Sequence, residues 1–277
     1  MQHASGTLWV VATPIGNLGD LSPRAVETLR AVQAICAEDT RHTRPLLQQF
    51  GIDTPLLALH DHNEANLSER LVARLLAGES LALVSDAGTP LVSDPGYRLV
   101  AAAHEAGIAV SPVPGPCAAI AALSAAGLAS DRFVFEGFLP AKSGARRSRI
   151  EALAAEPRTL IFYESAHRIR EMLEDAAAGF GGDRLGCVAR EVSKRFETIR
   201  RDALASLRAW VESDANQQRG EFVVLVAGAD EPEDAKLEAG RSLYRKLVEH
   251  LPPSQAARVA AEISGAPRKA LYGGESA

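Results

Sequence analysis

The amino-acid sequence predicts a two-domain α/β protein that ends in a short helical appendage. Short apolar runs alternate along most of the chain with segments of helical periodicity, and turns rich in glycine and proline separate them. This alternation is typical of mostly parallel sheets that helices cover on both faces. From about residue 231 onwards the strand-like runs cease, which predicts a separate helical end.

The first domain is predicted to span residues 1–116 and to hold five strands. Its strand-like runs are residues 7–13, 34–37, 56–59, 81–84 and 109–113. Ser22 followed by Pro23 predicts the start of a helix, because serine caps free amides and proline fits the first helical position. Asp94 followed by Pro95 predicts another helix start by the same device. The stretch PVPGP at residues 112–116 marks the predicted domain boundary.

The second domain is predicted to span residues 117–230 and to repeat the alternation after a helix at residues 117–126. Its strand-like runs are residues 133–135, 159–162, 185–189 and 222–226. An acidic linker then leads into residues 231–277, where helices are predicted around residues 237–249 and 254–263. Two short helices with a basic end resemble a small helix-turn-helix unit.

Bulk properties indicate a globular protein of a reducing compartment. The chain has 277 residues, 47% of them hydrophobic, and a net charge of −5. Its three cysteines form no CxxC pair, which favours the cytoplasm over a disulfide framework. No apolar run reaches the roughly 18 residues of a membrane helix, and the first six residues are too short and polar for a signal peptide. Residues 132–220 are net basic, which indicates either a polyanionic partner or an ordinary solvated surface.

Three turns at the ends of predicted strands are the main candidates for a ligand site. They are residues 13–17 (TPIGN), 85–90 (SDAGTP) and 114–116 (PGP). No GxGxxG follows the first strand and no GxxxxGK[ST] is present, so the usual dinucleotide and phosphate-loop signatures are missing. Ligands of open α/β sheets bind beyond the carboxyl ends of strands, and glycine lets a ligand approach the backbone closely. These turns therefore predict a site for a ligand that is not held by phosphates.

Charged side chains concentrate at other strand ends. The turn EDTRHT (residues 38–43) follows one run, and FYESAHR (162–168) follows another. Residues 190–194 and 219–221 occupy similar places, where charges indicate either a site or simple surface pairs. His60 and His62 have the HxH spacing of some metal hydrolases, but no third ligand accompanies them, which favours solvated loop histidines.

A basic stretch suits contact with nucleic acid. Its members are Lys142, Arg146, Arg147 and Arg149, and they follow GFLP at residues 137–140. Basic side chains next to an aromatic ring are typical of phosphate contacts combined with base stacking. The alternative is a solvated basic helix start.

Together the motifs resemble a known family. TPIGN, EDTRHT, SDAGTPLVSDPG, PGPCA, GFLP, FYES, REVSK and GEFVVLV occur in this order, and PRKALY follows in the tail. In this the chain resembles the bacterial 16S ribosomal RNA (cytidine-2′-O)-methyltransferases, which belong to the tetrapyrrole-methylase-type superfamily of S-adenosylmethionine (SAM) enzymes. The resemblance implies two α/β domains of the tetrapyrrole methylase type, a homodimer, and SAM in the cleft between the domains. The missing third metal ligand and the lack of a membrane-length apolar run independently predict no metal and no membrane association.

The resemblance also implies where SAM is held. The implied contacts from the first domain and its boundary are Ile15, Asp86, Ala87, Gly88, Thr89, Pro90, Pro116, Cys117 and Ala118. From the second domain they are Tyr163, Gly220 and Glu221. SAM carries no phosphate, so this agrees with the missing phosphate motifs.

The implied reaction is methyl transfer to a cytidine ribose 2′-hydroxyl in 16S rRNA or the small ribosomal subunit, near the decoding centre. SAM already carries an activated methyl group, so the protein mainly positions it and assists loss of the hydroxyl proton. The candidate catalytic side chains are Glu38, Asp39, Arg41, His42, Glu164 and Arg168, with no base assigned among them. The alternatives are a methyltransferase of a small tetrapyrrole-like substrate, a metal-dependent hydrolase using His60 and His62, and a SAM-binding regulatory module without catalysis.

Overall fold

The structure is a computed structural model that describes residues 5–60, 64–230 and 233–271. The chain divides into two compact units. One comprises Met1–Ala154 with Arg158–Ala227, and the other comprises Ala155–Pro157 with Gly228–Ala277. Both sheets belong to the first unit. The boundaries predicted at residues 116 and 230 stay predictions.

The first sheet is entirely parallel, with strand order β3-β2-β4-β1-β5. Its strands are β1 (Thr7–Val11), β2 (Ala34–Ala37), β3 (Leu56–Ala58), β4 (Leu81–Val84) and β5 (Ala109–Val113). Each strand lies within a run that the sequence predicted. Because the strands are parallel, the turns that follow them meet at one edge of the sheet.

Helices cover both faces of this sheet. They are α1 (Pro23–Ala31), α2 (Thr40–Gln49), α3 (Glu64–Leu76) and α4 (Tyr97–Glu105). Helices α1 and α2 pack with Ile35, Ala82 and Val84, whereas α3 and α4 pack with the alternate residues Leu81 and Leu83. Strand residues alternate between the two faces, so a continuous apolar run fills both cores.

One helix start was predicted correctly and one was wrong. Ser22 accepts a hydrogen bond from the amide of Ala25 (3.1 Å), as predicted for α1. The predicted start at Asp94 is wrong, because α4 begins at Tyr97 after Gly96, which has φ +123°. No side chain at the α4 N-cap makes a capping hydrogen bond. Instead, Glu64 of α3 accepts hydrogen bonds from the first amides of α4.

The second sheet is mixed, with strand order β6-β7-β10-β8-β9, and only β6 and β7 are parallel. Its strands are β6 (Phe133–Phe138), β7 (Thr159–Ser165), β8 (Leu185–Arg190), β9 (Thr198–Ala203) and β10 (Glu221–Val226). The sequence reading missed β9, an edge strand whose residues include Arg200, Arg201 and Asp202. An edge strand tolerates such charges because one of its sides is unpaired.

Four helices complete the first unit, and two more lie in the second. They are α5 (Ala118–Ala126), α6 (Ser143–Ala152), α7 (Ile169–Phe180), α8 (Leu204–Ser213), α9 (Glu233–Leu247) and α10 (Pro253–Ser264), with short 3₁₀ helices at Leu18–Asp20, Ala215–Gln218 and Arg268–Leu271. Helix α5 covers one face of the second sheet, and α6, α7 and α8 cover the other. In the second unit, Ala260, Ala266 and Leu271 form a small core. Within the described ranges, no helix is both long enough and apolar enough for a membrane span.

Candidate functional site

A cavity of about 280 Å³ lies where turns after the first sheet meet loops of the second sheet. Its first-sheet side is lined by Ile15, Asp86, Ala87, Gly88, Thr89, Val92, Ser93 and Asp94, and the start of α5 adds Cys117 and Ala118. Its second-sheet side is lined by Phe138, Tyr163, Glu164, Ser165, Glu191, Val192, Lys194, Glu221, Phe222 and Val223.

The three turns predicted from the sequence meet at this cavity. Thr13 and Gly88 exchange two backbone hydrogen bonds of 2.8 and 3.0 Å, and the Thr89 hydroxyl donates to the Pro116 carbonyl (2.9 Å). Gly88 has φ +82°, and a Cβ there would lie 3.2 Å from Cγ2 of Ile15. The first wall is therefore a cradle of backbone with little room for added side-chain atoms.

Asp86 is the charged residue of the turn SDAGTP, and the start of α2 holds it. The Asp39 amide donates to Asp86 Oδ1 (3.0 Å), and His42 Nδ1 lies 3.0 Å from Oδ2. The hydrogen bond to Asp86 and its negative charge raise the pKa of His42, and the Asp39 charge adds to this. Asp39 and His42 thus orient the Asp86 carboxylate, which itself lines the cavity.

Asp39 itself is committed to the helix start. Its carboxylate accepts from the Arg41 amide (2.8 Å) and pairs with the Arg41 guanidinium (2.6 Å), so its pKa lies well below the usual range. The Arg41 side chain is 88% exposed. Of the catalytic candidates in residues 38–43, none is among the described residues that line the cavity.

A strained loop carries a carboxylate into the same wall. Leu91 and Ser93 have φ values of +72° and +67°, which non-glycine residues adopt only under constraint. Asp94 follows them and lines the cavity. Burial raises the pKa of Asp94 to about 6; a hydrogen bond with Ser85 opposes this shift, and the Asp86 charge adds to it.

The second wall is built from paired side chains. Lys194 Nζ lies 2.9 Å from Glu191 Oε1 and 2.6 Å from Glu221 Oε2. Burial lowers the pKa of Lys194, but the hydrogen bonds with Glu221 and Glu191 outweigh it, and the net shift is upward. A Cβ at Gly16 would lie 2.4 Å from Lys194, and one at Gly220 would lie 2.4 Å from Glu191. The two glycines therefore make room for this ion-paired cluster.

Tyr163 and Phe138 provide the aromatic surface of the cavity. The Tyr163 hydroxyl accepts a hydrogen bond from the Ala119 amide (3.2 Å), and burial raises the pKa of this phenol. The Phe138 ring contacts the Tyr163 ring edge to face at 5.7 Å between centroids.

Glu164 and Arg168 lie behind this aromatic surface. The Glu164 side chain is fully buried, and its Oε1 accepts from the Ser165 amide (2.8 Å). Glu164 Oε2 lies 3.4 Å from the Arg168 guanidinium, which donates to the carbonyls of Leu139 (2.7 Å) and Pro140 (3.2 Å). Arg168 thus fixes the backbone that follows Phe138.

Most of the predicted cofactor contacts come together at the cavity. Three of them do not line the cavity but adjoin residues that do. Pro90 follows Thr89 in the chain, the Pro116 carbonyl accepts from the Thr89 hydroxyl, and Gly220 packs against Glu191. The sequence reading did not single out Asp94 as a site residue, nor Val92, Ser93, Phe222 and Val223. The sequence held a signal for Asp94, since SDPG repeats the pattern of SDAGTP only two residues after it, but the proline of SDPG favoured a helix cap instead.

The predicted RNA contact at Arg146 is wrong. Its side chain is 2% exposed, and its Nε lies 2.6 Å from Oδ2 of the buried Asp175. A guanidinium enclosed in this way cannot reach a phosphate. Arg147 also pairs with Asp175 (2.7 Å) and Arg149 with Glu136 (2.7 Å), although both remain partly exposed, and Lys142 is exposed before α6.

The alternative of a metal-dependent hydrolase at His60 and His62 gains no support from the part of the chain that the structure describes. Residues 5–60, 64–230 and 233–271 contain no group of three or more histidine, cysteine or acidic side chains that could hold a metal ion. His62 lies outside the described residues. The nearby Glu64 is buried and binds the amides of Arg98 and Leu99.

The residues of the cavity fit SAM in size and chemistry. The volume of the cavity is close to the lower end of the range of small-molecule sites, which is roughly 300–1,000 Å³. Asp86 and Asp94 offer carboxylates to a sulfonium and an ammonium group, and the backbone cradle around Gly88 needs no phosphate. Glu191 and Glu221 share the single charge of Lys194, so this cluster remains net negative.

The chain is similar to known proteins along nearly its whole length. The sequence profile of the Tetrapyrrole (Corrin/Porphyrin) Methylases matches residues 7–208, and that of the RsmI C-terminal HTH domain matches residues 234–273. Three similar proteins are all named ribosomal RNA small subunit methyltransferase I. The relative from Xylella fastidiosa is 65% identical over 97% of this chain and 98% of its own length. The one from Pseudomonas aeruginosa is 59% identical over 97% and 96%, and the one from Escherichia coli O157:H7 is 55% identical over 98% and 94%.

Solved structures share the fold at low sequence identity. Uroporphyrin-III-C-methyltransferase from Thermus thermophilus is 21% identical, with a TM-score of 0.55 over 80% of this chain and 94% of that one. A diphthine synthase is 16% identical, with a TM-score of 0.59 over 97% and 99%. These likenesses establish the α/β architecture with two sheets.

Proposed function

We propose that this chain, which belongs to the tetrapyrrole (corrin/porphyrin) methylase family, methylates a cytidine of 16S ribosomal RNA, near the decoding centre, on its ribose 2′-hydroxyl. The observation that carries the proposal is the cavity, whose lining combines a backbone cradle, an aromatic surface and four carboxylates, two on each wall. The names of the similar proteins support ribosomal RNA of the small subunit as the substrate. A ribosomal RNA substrate supports a cytoplasmic location for the enzyme.

SAM is the proposed methyl donor, held by the turns that the sequence predicted. It supplies an activated methyl group on a positively charged sulfur. Ile15, residues 86–90 and residues 116–118 would hold it from the first wall, with Tyr163, Gly220 and Glu221 from the second. Carboxylates at the cavity favour the cationic donor, because opposite charges attract strongly where water is partly excluded.

The chain's own residues then position the hydroxyl and accept its proton. A hydroxyl is a weak acid, and a positioned base contributes about 10²–10⁴-fold to such a step. Asp94 is the proposed acceptor, since it lines the cavity. The fully buried Glu164 would instead orient the Arg168 guanidinium, which lies 3.4 Å away. With a pKa of about 6, Asp94 is ionised at neutral pH and still basic enough to take a proton.

The other predicted candidates have positioning roles in this proposal. Asp39 and His42 would orient Asp86, and Arg168 would fix the backbone after Phe138. Arg41 and Glu38 stay predictions, as do the phosphate contacts of Lys142, Arg147 and Arg149. The enzyme would act as a homodimer, which sedimentation tests as a species of about twice the 29.4 kDa chain mass.

Transfer of labelled methyl groups from SAM tests the proposal. Purified protein is incubated with labelled SAM in three parallel reactions. They contain 30S particles, naked 16S rRNA and a tetrapyrrole precursor, respectively. Label in RNA from either of the first two supports the proposal and shows whether the assembled subunit is needed. Label only in the tetrapyrrole favours the small-molecule alternative, and SAM binding without any transfer favours the regulatory module.

A further inference from the structure

Phe138 leaves a large aromatic face in contact with solvent at the cavity. Its side chain is 56% exposed, although it lines the cavity and follows a buried glycine in β6. An exposed aromatic ring beside a site is a candidate contact for a substrate, because its burial would release water from a large apolar surface.

An irregularity in β6 brings Phe138 to this position. The register of β6 against β7 shifts between Phe135 and Gly137. In a regular strand, residues 135 and 138 would point to opposite faces of the sheet. Because of the bulge, both rings contact Tyr163, at 5.0 and 5.7 Å between centroids.

The ring is braced before any ligand arrives. Tyr163 supports it from one side and is itself held by the Ala119 amide. The backbone that follows is clamped by Arg168, which binds the carbonyls of Leu139 and Pro140. A fixed platform costs less conformational entropy on binding than a mobile one.

We propose that Phe138 stacks on the base of the target nucleotide and so holds the ribose beside the methyl donor. This inference rests on the proposed function. A target base must leave its stack for the ribose to enter a cavity, and proteins commonly receive such splayed bases on aromatic rings. The exposed Lys142, four residues further on, suits the neighbouring phosphate.

Paired substitutions at Phe138 test the stacking role. Phe138→Leu removes the aromatic face but keeps an apolar side chain, and Phe138→Trp enlarges the face. Phe133→Leu is the matched control, because Phe133 lies at the other end of the same strand and is 39% exposed. The readouts are kcat/KM for methylation of 30S particles and the Kd for SAM.

We expect Phe138→Leu to lower kcat/KM about 10- to 100-fold, the range that loss of one stacked base gives. SAM affinity should fall much less than kcat/KM, because the other lining residues of the cavity remain. Phe138→Trp should keep most of the activity, and Phe133→Leu should match the wild type.

Three outcomes would overturn the inference. They are a wild-type kcat/KM for Phe138→Leu, a loss of SAM affinity as large as the loss of activity, and a Phe138→Trp enzyme as poor as Phe138→Leu. A wild-type protein that methylates no RNA overturns the proposed function itself, and the inference with it.

Discussion

The two walls of the cavity are built by different means. The first wall consists of turns at the ends of parallel strands, where the backbones of Thr13 and Gly88 bind each other and the Thr89 hydroxyl donates to the Pro116 carbonyl. The second wall consists of side chains, which the pairs among Lys194, Glu191 and Glu221 hold in place. The difference indicates that a ligand is gripped by fixed backbone on one side and is selected by side chains on the other.

The largest expected effect is on stability, at the buried ion pair between Arg146 of α6 and Asp175 of α7. Asp175→Asn leaves the buried Arg146 without its carboxylate at 2.6 Å. Glu171, 3.0 Å from the same guanidinium, then compensates the buried charge only in part. We therefore expect the free energy of unfolding to fall by up to about 3–5 kcal/mol, the loss for a broken buried pair. Denaturant unfolding measures this.

Glu136→Gln is the control for that substitution. It breaks the pair with Arg149, whose side chain is 47% exposed, and should cost less than about 1 kcal/mol. Equal losses of unfolding free energy in the two variants would show that Arg146 is not a structural residue. The predicted RNA contact of Arg146 would then have to be considered again.

The backbone wall gives the next effect. Gly88→Val adds atoms toward Ile15, so we expect SAM affinity to fall at least about 30-fold, or about 2 kcal/mol. Gly107→Val is the control, because Gly107 also has a positive φ (+69°) but nothing within 4 Å of its added Cβ. Both variants should lose about 1–2 kcal/mol of stability from backbone strain. Isothermal titration with SAM should separate them, and equal affinities would place SAM elsewhere.

Asp94 links stability to pH with a defined sign. Its folded pKa of about 6 lies above the ordinary aspartate value of 3.8, so the neutral carboxyl is favoured in the fold. The contribution to stability is present below about pH 4 and is lost as the pH rises through 6. Asp94→Asn should therefore stabilise the protein by about 1–3 kcal/mol near pH 8 and by almost nothing near pH 4.

The same variant should be a poorer enzyme, with kcat lowered about 100-fold or more if Asp94 accepts the proton. Asp131→Asn, on a carboxylate 78% exposed, controls for surface substitution. A stabilised Asp94→Asn enzyme with full kcat would remove Asp94 from the reaction.

The smallest expected effect is at His42, which is 71% exposed. Since Asp86 raises its pKa, the charged pair exists at low pH and is lost as the pH rises through that raised value. His42→Gln should weaken SAM binding by about twofold near pH 6 and leave it unchanged near pH 9. A tenfold change at both values would mean that His42 touches SAM directly.

The two walls also differ in how far the sequence predicts them. The strands of the first sheet are continuous apolar runs, and their ends converge because parallel strands share an edge, so SDAGTP, TPIGN and PGP could be placed together. Strand β9 could not be recognised, because an edge strand carries charges such as Arg201. The orientation of Phe138 depends on a bulge, and the burial of Arg146 depends on Asp175 far along the chain. Neither leaves a local pattern in the sequence.

The position of the transferred methyl group tests the central claim most directly. RNA from labelled 30S particles is digested to nucleosides, which are separated and identified by mass spectrometry. The account predicts that the label lies on the ribose of a cytidine, as 2′-O-methylcytidine. Label on a base, or on the ribose of another nucleoside, would contradict it.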